Sequence, residues 1–241
     1  MNSLYGNIDP REIPIYSIND AARYLWIPSS TIRWLCLSAR ESWTLGQSYP
    51  VKDGSNFFAP IIDIPQQKPY LLSFTNLIEI HILRGIRQHH QIQLNKVREA
   101  LDFINSKFNI PHPLATQQFS TDGADLFIEY YGELIQASQK KLKQLKLEIN
   151  IHLERIEPDD WGFAGKLYPF TRPHEKESLR VVVIDPRIAF GRLTIAGTGI
   201  PTSILKERYS AGDSIDELAA DYDCDRQSIE EVIRSELNIT A

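Results

Sequence analysis

The stretch SINDAARYLWIPSSTIRWL, from Ser17 to Leu35, decides how the first part of this 241-residue chain is predicted to fold. After Ser17, which can cap a helix, apolar residues recur at helical spacing and predict a first helix. Because proline disfavours helical backbone at the residue before it, Pro28 ends this helix after a short turn. A second capped helix follows at once. Two short helices joined by a tight turn are typical of a helix-turn-helix.

The second helix of this motif is predicted to begin at Ser29 or Ser30, and its outward side chains suit contact with DNA. Its core face is expected to contain Ile32, Leu35 and Cys36. In a major groove, arginine can bind guanine through two hydrogen bonds, and serine or threonine can hold a phosphate. The residues predicted to bind DNA here are Ser29, Ser30, Thr31, Arg33, Trp34 and Arg40.

A purely structural role for this helix is the alternative. Thr31 would then simply start the helix, Arg33 would pair with a surface carboxylate and Trp34 would belong to the core. In both interpretations we expect Leu37 to point away from the core.

The same layout returns near the other end of the chain with the opposite charge, in SIDELAADYDCDRQSIEEVI from Ser214 to Ile233. From residue 17 to residue 40 the chain has three arginines against one aspartate, whereas from 214 to 234 it has seven carboxylates against two arginines. A DNA phosphate backbone attracts the first segment and repels the second. We therefore predict a protein–protein or dimerisation surface at the acidic end, with a solvated acidic face as the alternative.

Composition narrows the class of protein. Apolar residues make up 42% and charged residues 24% of the chain, as in ordinary soluble globular proteins, and the length allows two domains. No apolar run approaches the ~20 residues of a membrane span. Met1 to Arg11 lacks the features of a signal peptide, and Cys36 and Cys224 lie far apart, which fits a reducing compartment. We expect a cytoplasmic protein that does not contact a membrane.

The sequence predicts no catalytic, cofactor or metal site. Gly197-Thr198-Gly199 lacks the spacing of a nucleotide-binding loop, and no histidine and cysteine set has the spacing of a zinc site. His81 is expected to be a packed core histidine. A carboxylate group formed by Asp122, Asp125 and Glu129 is explained more simply as turn chemistry.

A hairpin is predicted after the helix-turn-helix. Two runs rich in β-forming residues, Phe57–Ile64 and Pro69–Phe74, flank the polar segment Pro65–Lys68. A hairpin in this place would be a wing beside the DNA-binding helix. Lys52 and Lys68 are candidate wing contacts to DNA.

The middle of the chain combines helices with irregular segments. Ser73 or Thr75 is predicted to cap a long amphipathic helix, and further helices begin near Leu94 and Lys140. Short strands are expected from residue 119 to residue 137, where Asp122-Gly123 and Tyr131-Gly132 suggest turns. The segment from residue 157 to residue 178 is expected to be an irregular arm or linker.

The C-terminal part is predicted to contain a strand at Arg180–Ile184, two short extended pieces within Phe190–Pro201, and three helices at Thr202–Ser210, Ile215–Tyr222 and Arg226–Leu237. The fold class is therefore mainly α with small β elements (α+β). We divide the chain into a winged helix-turn-helix domain at residues 1–110, a β-hairpin, helix and linker arm at 111–178, and a trihelical, helix-turn-helix-like domain at 179–241.

Two parts of the chain resemble known families. The segment Tyr16–Ile104 resembles the winged helix-turn-helix of MerR-type regulators, through Ser17-Ile18, Ala21-Ala22 and Ser30-Thr-Ile-Arg33. The tail Ile184–Glu236 resembles a small antitoxin-like family of otherwise unknown function, and its marks are Phe190-Gly191, Gly197–Pro201, Ala211–Ser214 and Ile229–Arg234. Together they resemble the long form of VapB-type antitoxins.

This resemblance implies a role and its partners. Such proteins are encoded beside a small toxin with a PIN-like nuclease fold, so a toxin protein, a double-stranded DNA operator and a second copy of the chain are the expected partners. The effector-sensing role of MerR proteins is not implied, because no effector domain or long coiled coil with cysteines is evident. Aromatic residues of the arm are the candidates for toxin contact: Trp161, Phe163, Tyr168 and Phe170.

Two other functions remain open at this point. The chain could be a stand-alone MerR-like transcriptional regulator, whose acidic C-terminal domain only dimerises and which has no toxin partner. It could also be an interaction protein that does not bind DNA. A short PIN-like gene next to the gene for this chain would favour the antitoxin.

Overall fold

The structure, a computed structural model, describes residues 8–37, 60–87, 94–109, 112–172 and 179–238. Its α-helices within these ranges are α1 (Ile18–Leu25), α2 (Ser29–Cys36), α3 (Phe74–Arg87), α4 (Leu94–Phe108), α5 (Ala124–Leu134), α6 (Gln139–Leu153), α7 (Thr202–Ala211), α8 (Ile215–Asp221) and α9 (Arg226–Asn238). The predicted mainly helical α+β class is confirmed. No helix in these ranges is long and apolar enough to cross a membrane.

Two small antiparallel sheets accompany the helices. The first has the order β1-β3-β2, and the second has the order β4-β5-β6-β7. Their strands are β1 (Tyr16–Ser17), β2 (Gln66–Gln67), β3 (Tyr70–Leu72), β4 (Ile156–Pro158), β5 (Ala164–Leu167), β6 (Val182–Ile184) and β7 (Leu193–Ile195).

The two predicted short helices joined by a tight turn are α1 and α2. The Ser17 hydroxyl accepts a hydrogen bond from the Asp20 amide at 3.1 Å, and the Asp20 carboxylate accepts one from the Ser17 amide at 3.1 Å. This reciprocal capping box satisfies two amides at the helix start that have no partner within the helix. The helix ends at Trp26, whose φ of 52° is left-handed, just before Pro28.

Two details of α2 differ from the prediction. The residue that caps α2 is Pro28, so Ser29 and Ser30 lie inside its first turn and no side chain caps the helix. Leu37 is buried, because the backbone becomes extended after Cys36 and the side chain returns to the core. The predicted core face of Ile32, Leu35 and Cys36 is buried as expected.

The predicted hairpin exists, but it is shorter than expected. β2 pairs with β3 across a two-residue turn at Lys68-Pro69, so Gln66 and Gln67, predicted as turn, form a strand. The predicted strand is wrong at residues 60–64, because the amides of Ile61 and Ile62 donate to the Leu35 carbonyl at the end of α2. Residues 57–59 lie outside the described residues. β1 pairs with the other side of β3 and so attaches the hairpin to the start of α1.

Helix α3 is the centre of the core rather than an amphipathic surface helix. Its cap is Ser73, whose hydroxyl accepts from the Asn76 amide at 3.2 Å while the Asn76 side chain accepts from the Ser73 amide at 3.1 Å. Every side chain from Phe74 to Leu83 is buried. The apolar residues of this segment therefore face neighbours on all sides, as in a buried helix.

A cluster of rings joins α3 to α6 and to the chain after β5. The His81 ring centre lies 4.8 Å from that of His152 and 5.6 Å from that of Phe170. His81 is fully buried, as predicted, and its Nε2 lies 3.1 Å from the His152 carbonyl oxygen, to which it can donate. Gly85 leaves room for this packing, because a Cβ there would overlap the His152 ring. The burial of His152 and Glu148 was not predicted.

The strands predicted between residues 119 and 137 are wrong. Phe119–Gly123 forms a π-helical turn that continues directly into α5. Gly123 and Gly132 suggested turns, but both serve close packing inside helices. A Cβ at Gly123 would press on Phe119 and Phe108, and one at Gly132 would meet the Leu142 side chain. The explanation of Asp122, Asp125 and Glu129 as turn residues fails for the same reason.

The arm expected after residue 157 is an ordered part of the second sheet. β4 and β5 form an antiparallel hairpin, and β5 pairs with β6, which belongs to the C-terminal segment. Beyond β5, the Thr171 hydroxyl and the Arg172 guanidinium both donate to the buried Glu231 carboxylate, at 2.7 and 3.0 Å. The described part of this segment is therefore attached along its length.

The C-terminal helices are close to their predicted bounds. Ser214 and Glu217 form a second capping box at the start of α8, and Gly212 ends α7 with a left-handed φ of 114°. Of the two extended pieces expected within Phe190–Pro201, one is β7, and the other is reduced to a single bridge between Thr194 and Pro201.

We expect two histidines to give opposite pH dependences of the free energy of unfolding. Burial, together with the nearby His152, Arg84 and Arg155, holds the pKa of His81 well below its ordinary value of 6.5. The unfolded chain gains a proton near that pH and the folded chain does not, so stability is complete above pH 6.5 and falls as the pH decreases below it. The Glu79 carboxylate, 2.9 Å from Nδ1, raises the pKa of His112. The contribution of protonated His112 to the free energy of unfolding is complete below pH 6.5. It is lost as the pH rises through the pKa of His112 in the folded chain.

Urea unfolding between about pH 5.5 and pH 7.5 measures the free energy of unfolding at each pH. A single titrating group changes this free energy by at most about 1.4 kcal/mol per pH unit. His81→Gln should reduce the loss on the acid side, and His112→Asn, which tolerates the left-handed backbone at this position, should reduce the loss on the alkaline side. Parallel pH profiles for both variants and the wild type would contradict the assignment.

Candidate nucleic-acid interface and partner surface

The structure places the predicted DNA-binding residues of α2 together. Ser29, Ser30, Thr31, Arg33 and Trp34 are all partly exposed, whereas the other side of the helix is buried. An Arg33 guanidinium nitrogen lies 3.4 Å from the Ser29 hydroxyl, one turn earlier. Trp34 also packs partly against the core. Arg40 lies outside the described residues.

The start of α2 has the properties of an anion-binding end. No side chain caps this helix, and the amides of Thr31 and Ile32 donate to the Pro28 carbonyl oxygen at 2.9 and 3.3 Å. The helix dipole places partial positive charge at the same end. With the Ser29 and Ser30 hydroxyls at this end and Arg33 one turn later, this face can hold a phosphate and present a cation next to it.

Lys68 lies at the tip of the β2–β3 hairpin and is exposed. The same sheet contains β1, which leads directly into α1, so the hairpin is attached to the helix-turn-helix as a wing would be. Lys52, the other candidate wing contact, lies outside the described residues.

Arg23 has a different role from the one that its charge suggested. Its guanidinium lies 3.3 Å from the Glu236 carboxylate in α9 and stacks over the Tyr24 ring at 4.8 Å. Glu236 is 1% exposed, and its other oxygen accepts from the Thr202 hydroxyl at 2.5 Å. Arg23 therefore joins α1 to the C-terminal helices and does not add a free cation to the exposed face of α2.

A second link fixes the helix-turn-helix to the C-terminal segment. The buried Tyr16 hydroxyl donates to the Gly191 carbonyl oxygen at 2.8 Å. A Cβ at Gly191 would overlap this hydroxyl, so a glycine is needed for the approach. Strand β1 and the turn before β7 are thus held together.

The turn between β4 and β5 presents aromatic side chains on a charged frame. One oxygen of Asp159 accepts the amides of Trp161 and Phe163, both at 3.0 Å, and the other accepts from Arg11 at 2.7 Å. The Arg11 guanidinium also pairs with Asp9 and lies 4.8 Å from the Phe163 ring centre. Trp161 is 77% exposed on this frame, and Phe163 is 39% exposed.

The structure separates the four candidates for toxin contact. Trp161 and Phe163 lie on the exposed turn, and Tyr168 is half-buried, with its hydroxyl donating to Glu157 at 3.0 Å and its ring 5.5 Å from the Arg180 guanidinium. Phe170 is buried against His81 and His152, and it cannot contact a partner unless the core opens. We therefore remove Phe170 from the candidate surface.

A groove of about 390 Å³ continues this surface beside Trp161. Its lining comes from three segments of the chain and includes Ile8, Arg11, Pro186 and Arg187. The turn before β7 exposes Phe190 to 76%. Ala189 and Phe190 both have left-handed backbone, at φ 49° and 54°, which costs about 1–2 kcal/mol for each residue other than glycine. In the sequence, Phe190-Gly191 was notable only for its resemblance to the antitoxin-like family. The spacing of the neighbouring residues did not predict that Phe190 would be exposed.

The acidic end keeps its arginines in ion pairs. Arg226 pairs with Asp216, and Arg208 pairs with both Asp213 and Asp221 at 2.6 and 2.7 Å. No group of three or more potential metal ligands occurs among the residues that the structure describes. Burial raises the pKa of the Cys36 thiol, which keeps it protonated as a small core residue.

Comparison with known proteins adds three findings. Residues 182–234 match the family described as "Protein of unknown function (DUF433)". The curated protein named "Putative antitoxin VapB45" from Mycobacterium tuberculosis (strain ATCC 25618 / H37Rv) is 24% identical in an alignment of 230 positions that covers 88% of this chain and 89% of that protein. The X-ray crystal structure of Rv2018 from Mycobacterium tuberculosis matches with a TM-score of 0.64 and 22% identity, over 92% of this chain and 98% of its own.

The chain is antitoxin-like. Its similarity to the protein named as a putative antitoxin covers 88% of this chain, and it shares its overall fold with Rv2018. The family match coincides with the tail that resembles a family of unknown function.

We expect the Arg23–Glu236 pair to contribute measurably to stability. Arg23→Ala leaves a buried carboxylate with one cation fewer, and it should lower the free energy of unfolding by about 1–3 kcal/mol. Arg23→Ala combined with Glu236→Gln should cost less than the sum of the two single changes, because the uncompensated charge is gone. Urea unfolding of the four proteins measures this coupling, and strictly additive losses would show that the pair does not couple α1 to α9.

Proposed function

We propose that this protein is a DNA-binding antitoxin that neutralises a toxin nuclease and represses its own operon. The similarity to a curated antitoxin over most of both chains supports the toxin–antitoxin role. The observation that carries the DNA-binding part is the partly exposed face of α2, which combines an uncapped helix start, hydroxyl groups and Arg33. The proposal assigns no catalytic role to the chain.

In this proposal α2 enters the major groove. The hydroxyls of Ser29, Ser30 and Thr31, at the positive end of the helix dipole, hold a phosphate, while Arg33 contacts a guanine edge or the adjacent backbone. Lys68 at the hairpin tip contacts a phosphate nearby. A homodimer places two such units on a palindromic operator, with half-sites about one helical turn or a multiple of it apart.

The toxin contact is proposed at the turn between β4 and β5. Trp161 and Phe163, with Tyr168 at the edge, form an aromatic surface of the kind that contributes most energy to protein interfaces. Asp159 holds the backbone of Trp161 and Phe163 in place, and Arg11 contacts the Phe163 ring, before any partner binds, which reduces the entropy cost of association. Neutralisation would follow if the bound chain blocks access to the nuclease.

Operator binding can be tested with DNA from upstream of the gene for this protein. Arg33→Ala should weaken specific binding by about 1–3 kcal/mol, and Lys68→Ala should weaken binding to all sequences and reduce the salt slope by about 1. Lys141→Ala is the control, because it removes an exposed lysine of α6 outside the proposed face. Retardation of this DNA that is unchanged in Arg33→Ala would refute the assignment of α2.

Toxin binding can be tested with the product of the adjoining gene. We expect the two proteins to copurify, and Trp161→Ala should weaken the complex by about 2 kcal/mol or more, as for an interface hot spot. Tyr209→Ala on α7 is the control, because it truncates another exposed aromatic residue. If the operator binds but the neighbouring product does not, the chain is a stand-alone regulator instead.

A further inference from the structure

The surface that α5 and α6 share has two stripes of opposite charge. Residues three or four positions apart lie on the same face of a helix. The carboxylates at every fourth position of α5 form an acidic stripe, and the lysines at every third position of α6 form a basic stripe. The acidic stripe consists of Asp125, Glu129 and Glu133, and the basic stripe consists of Lys140, Lys143 and Lys146. All six residues are exposed.

The two stripes run side by side, because α5 and α6 are antiparallel neighbours. The Lys146 ammonium lies 2.6 Å from the Asp125 carboxylate, and the Leu142 side chain, one turn earlier in α6, packs at Gly132, which lies further along α5. The middle residue of each stripe is therefore at the same level along the helix pair. Apart from the pair of Asp125 and Lys146, no member of either stripe forms an ion pair with a residue that the structure describes.

The ends of the two stripes oppose the helix dipoles. Glu133 lies in the last turn of α5, where the dipole places partial negative charge, and Lys140 lies in the first turn of α6, where it places partial positive charge. The last turn of α5 has no basic residue, and the first turn of α6 has no acidic one. The stability of the separate helices therefore does not explain this arrangement, which keeps each stripe uniform in sign up to the end of its helix.

The surface as a whole is neutral. With Asp122 and Lys141 included, residues 119–153 expose four carboxylates and four lysines, and the remaining carboxylate, Glu148, is buried. The last two turns of α4, which borders α5, add exposed Asp102 and Lys107, and these also cancel. A nucleic acid or an acidic protein would meet the acidic stripe, and a basic protein would meet the basic one. A surface with the same two stripes complements both.

A second copy of the chain supplies such a surface. A two-fold axis that runs between α5 and α6, parallel to both, places α5 of one copy opposite α6 of the other. Each acidic stripe then faces a basic stripe, and charges meet at matching positions because the middle residues of the stripes share one level. A two-fold axis across the helices would instead bring like stripes together. Leu147, 57% exposed on α6, adds apolar contact beside the basic stripe.

We propose that two copies of this chain associate through the α5–α6 surface, with the acidic stripe of each copy on the basic stripe of the other. This inference rests on the proposed operator binding, which needs a homodimer, and it names the surface that forms the homodimer. The two helix pairs then pack as four helices around the two-fold axis. Because most of the contact is between exposed charges, the association is weak in the free chain and decreases as salt is added.

The test reverses one stripe at a time in the full chain and measures self-association by sedimentation equilibrium without DNA. One variant combines Glu129→Lys with Glu133→Lys, and the other combines Lys140→Glu with Lys143→Glu. Each alone should raise the dissociation constant of the dimer about 10-fold or more, because like charges then face each other. An equimolar mixture of the two should associate as the wild type does, because opposite charges face each other again. Melting temperatures should not fall, since charges at both helix ends then agree with the dipoles.

Glu99→Lys combined with Glu207→Lys is the matched control, because it changes the net charge as much as the first variant does, at exposed positions of α4 and α7. It should leave the dimer unchanged. A monomeric wild type, stripe variants that associate as the wild type does, or a mixture that stays monomeric would each overturn the inference. If the stripe variants lose only binding to the product of the adjoining gene, the surface belongs to the toxin and the inference is wrong. Operator binding by a monomeric wild type would leave the proposed function standing without this inference, whereas a dimer that the mixture restores but that binds no operator would do the reverse.

Discussion

The burial of every side chain of α3 from Phe74 to Leu83 is the constraint on which the other parts of this fold depend. A helical segment that is buried in this way needs neighbours on all sides, and the chain supplies them from distant segments. The C-terminal end of α6 packs against it at Gly85, where only the absence of a side chain makes room for His152. Arg84 donates to the Leu25 carbonyl at the end of α1 at 2.6 Å, and Phe170 covers the histidine pair. The helix-turn-helix and the second sheet are thus attached to one core.

A consequence is that the two proposed functional surfaces are connected by specific contacts. The buried Tyr16 hydroxyl and the Arg23–Glu236 pair join the helix-turn-helix to β7 and to α9. The β4–β5 hairpin extends the sheet of the C-terminal segment, and Glu231 holds the chain that follows it. The residues that match the family of unknown function therefore include two strands, β6 and β7, of a sheet that β4 and β5 complete.

Elements defined by local signals were predictable. Both capping boxes, at Ser17 and Ser214, lie where hydroxyl and carboxylate residues are three positions apart before a periodic apolar run, and the helices start there. The failures have an equally local cause. Glycine occurs both in turns and where helices approach closely, so Gly123 and Gly132 suggested turns in a segment that is helical. Spacing alone cannot distinguish these uses, because the second depends on side chains from other elements.

By itself the sequence determined the two helix-turn-helix layouts, the charge difference between them and the mainly helical class, because caps, periodicity and charge are properties of neighbouring residues. The tertiary structure alone decided what individual side chains of these segments do. Arg23 and Tyr16 meet partners that lie 213 and 175 positions away, and these contacts turn a cation of the basic end into a structural link and fix the exposed turn at Phe190. Phe170 became a core residue for the same reason. Contacts between residues that are distant in the sequence determine what each of these side chains does, and the spacing of neighbouring residues does not reveal it.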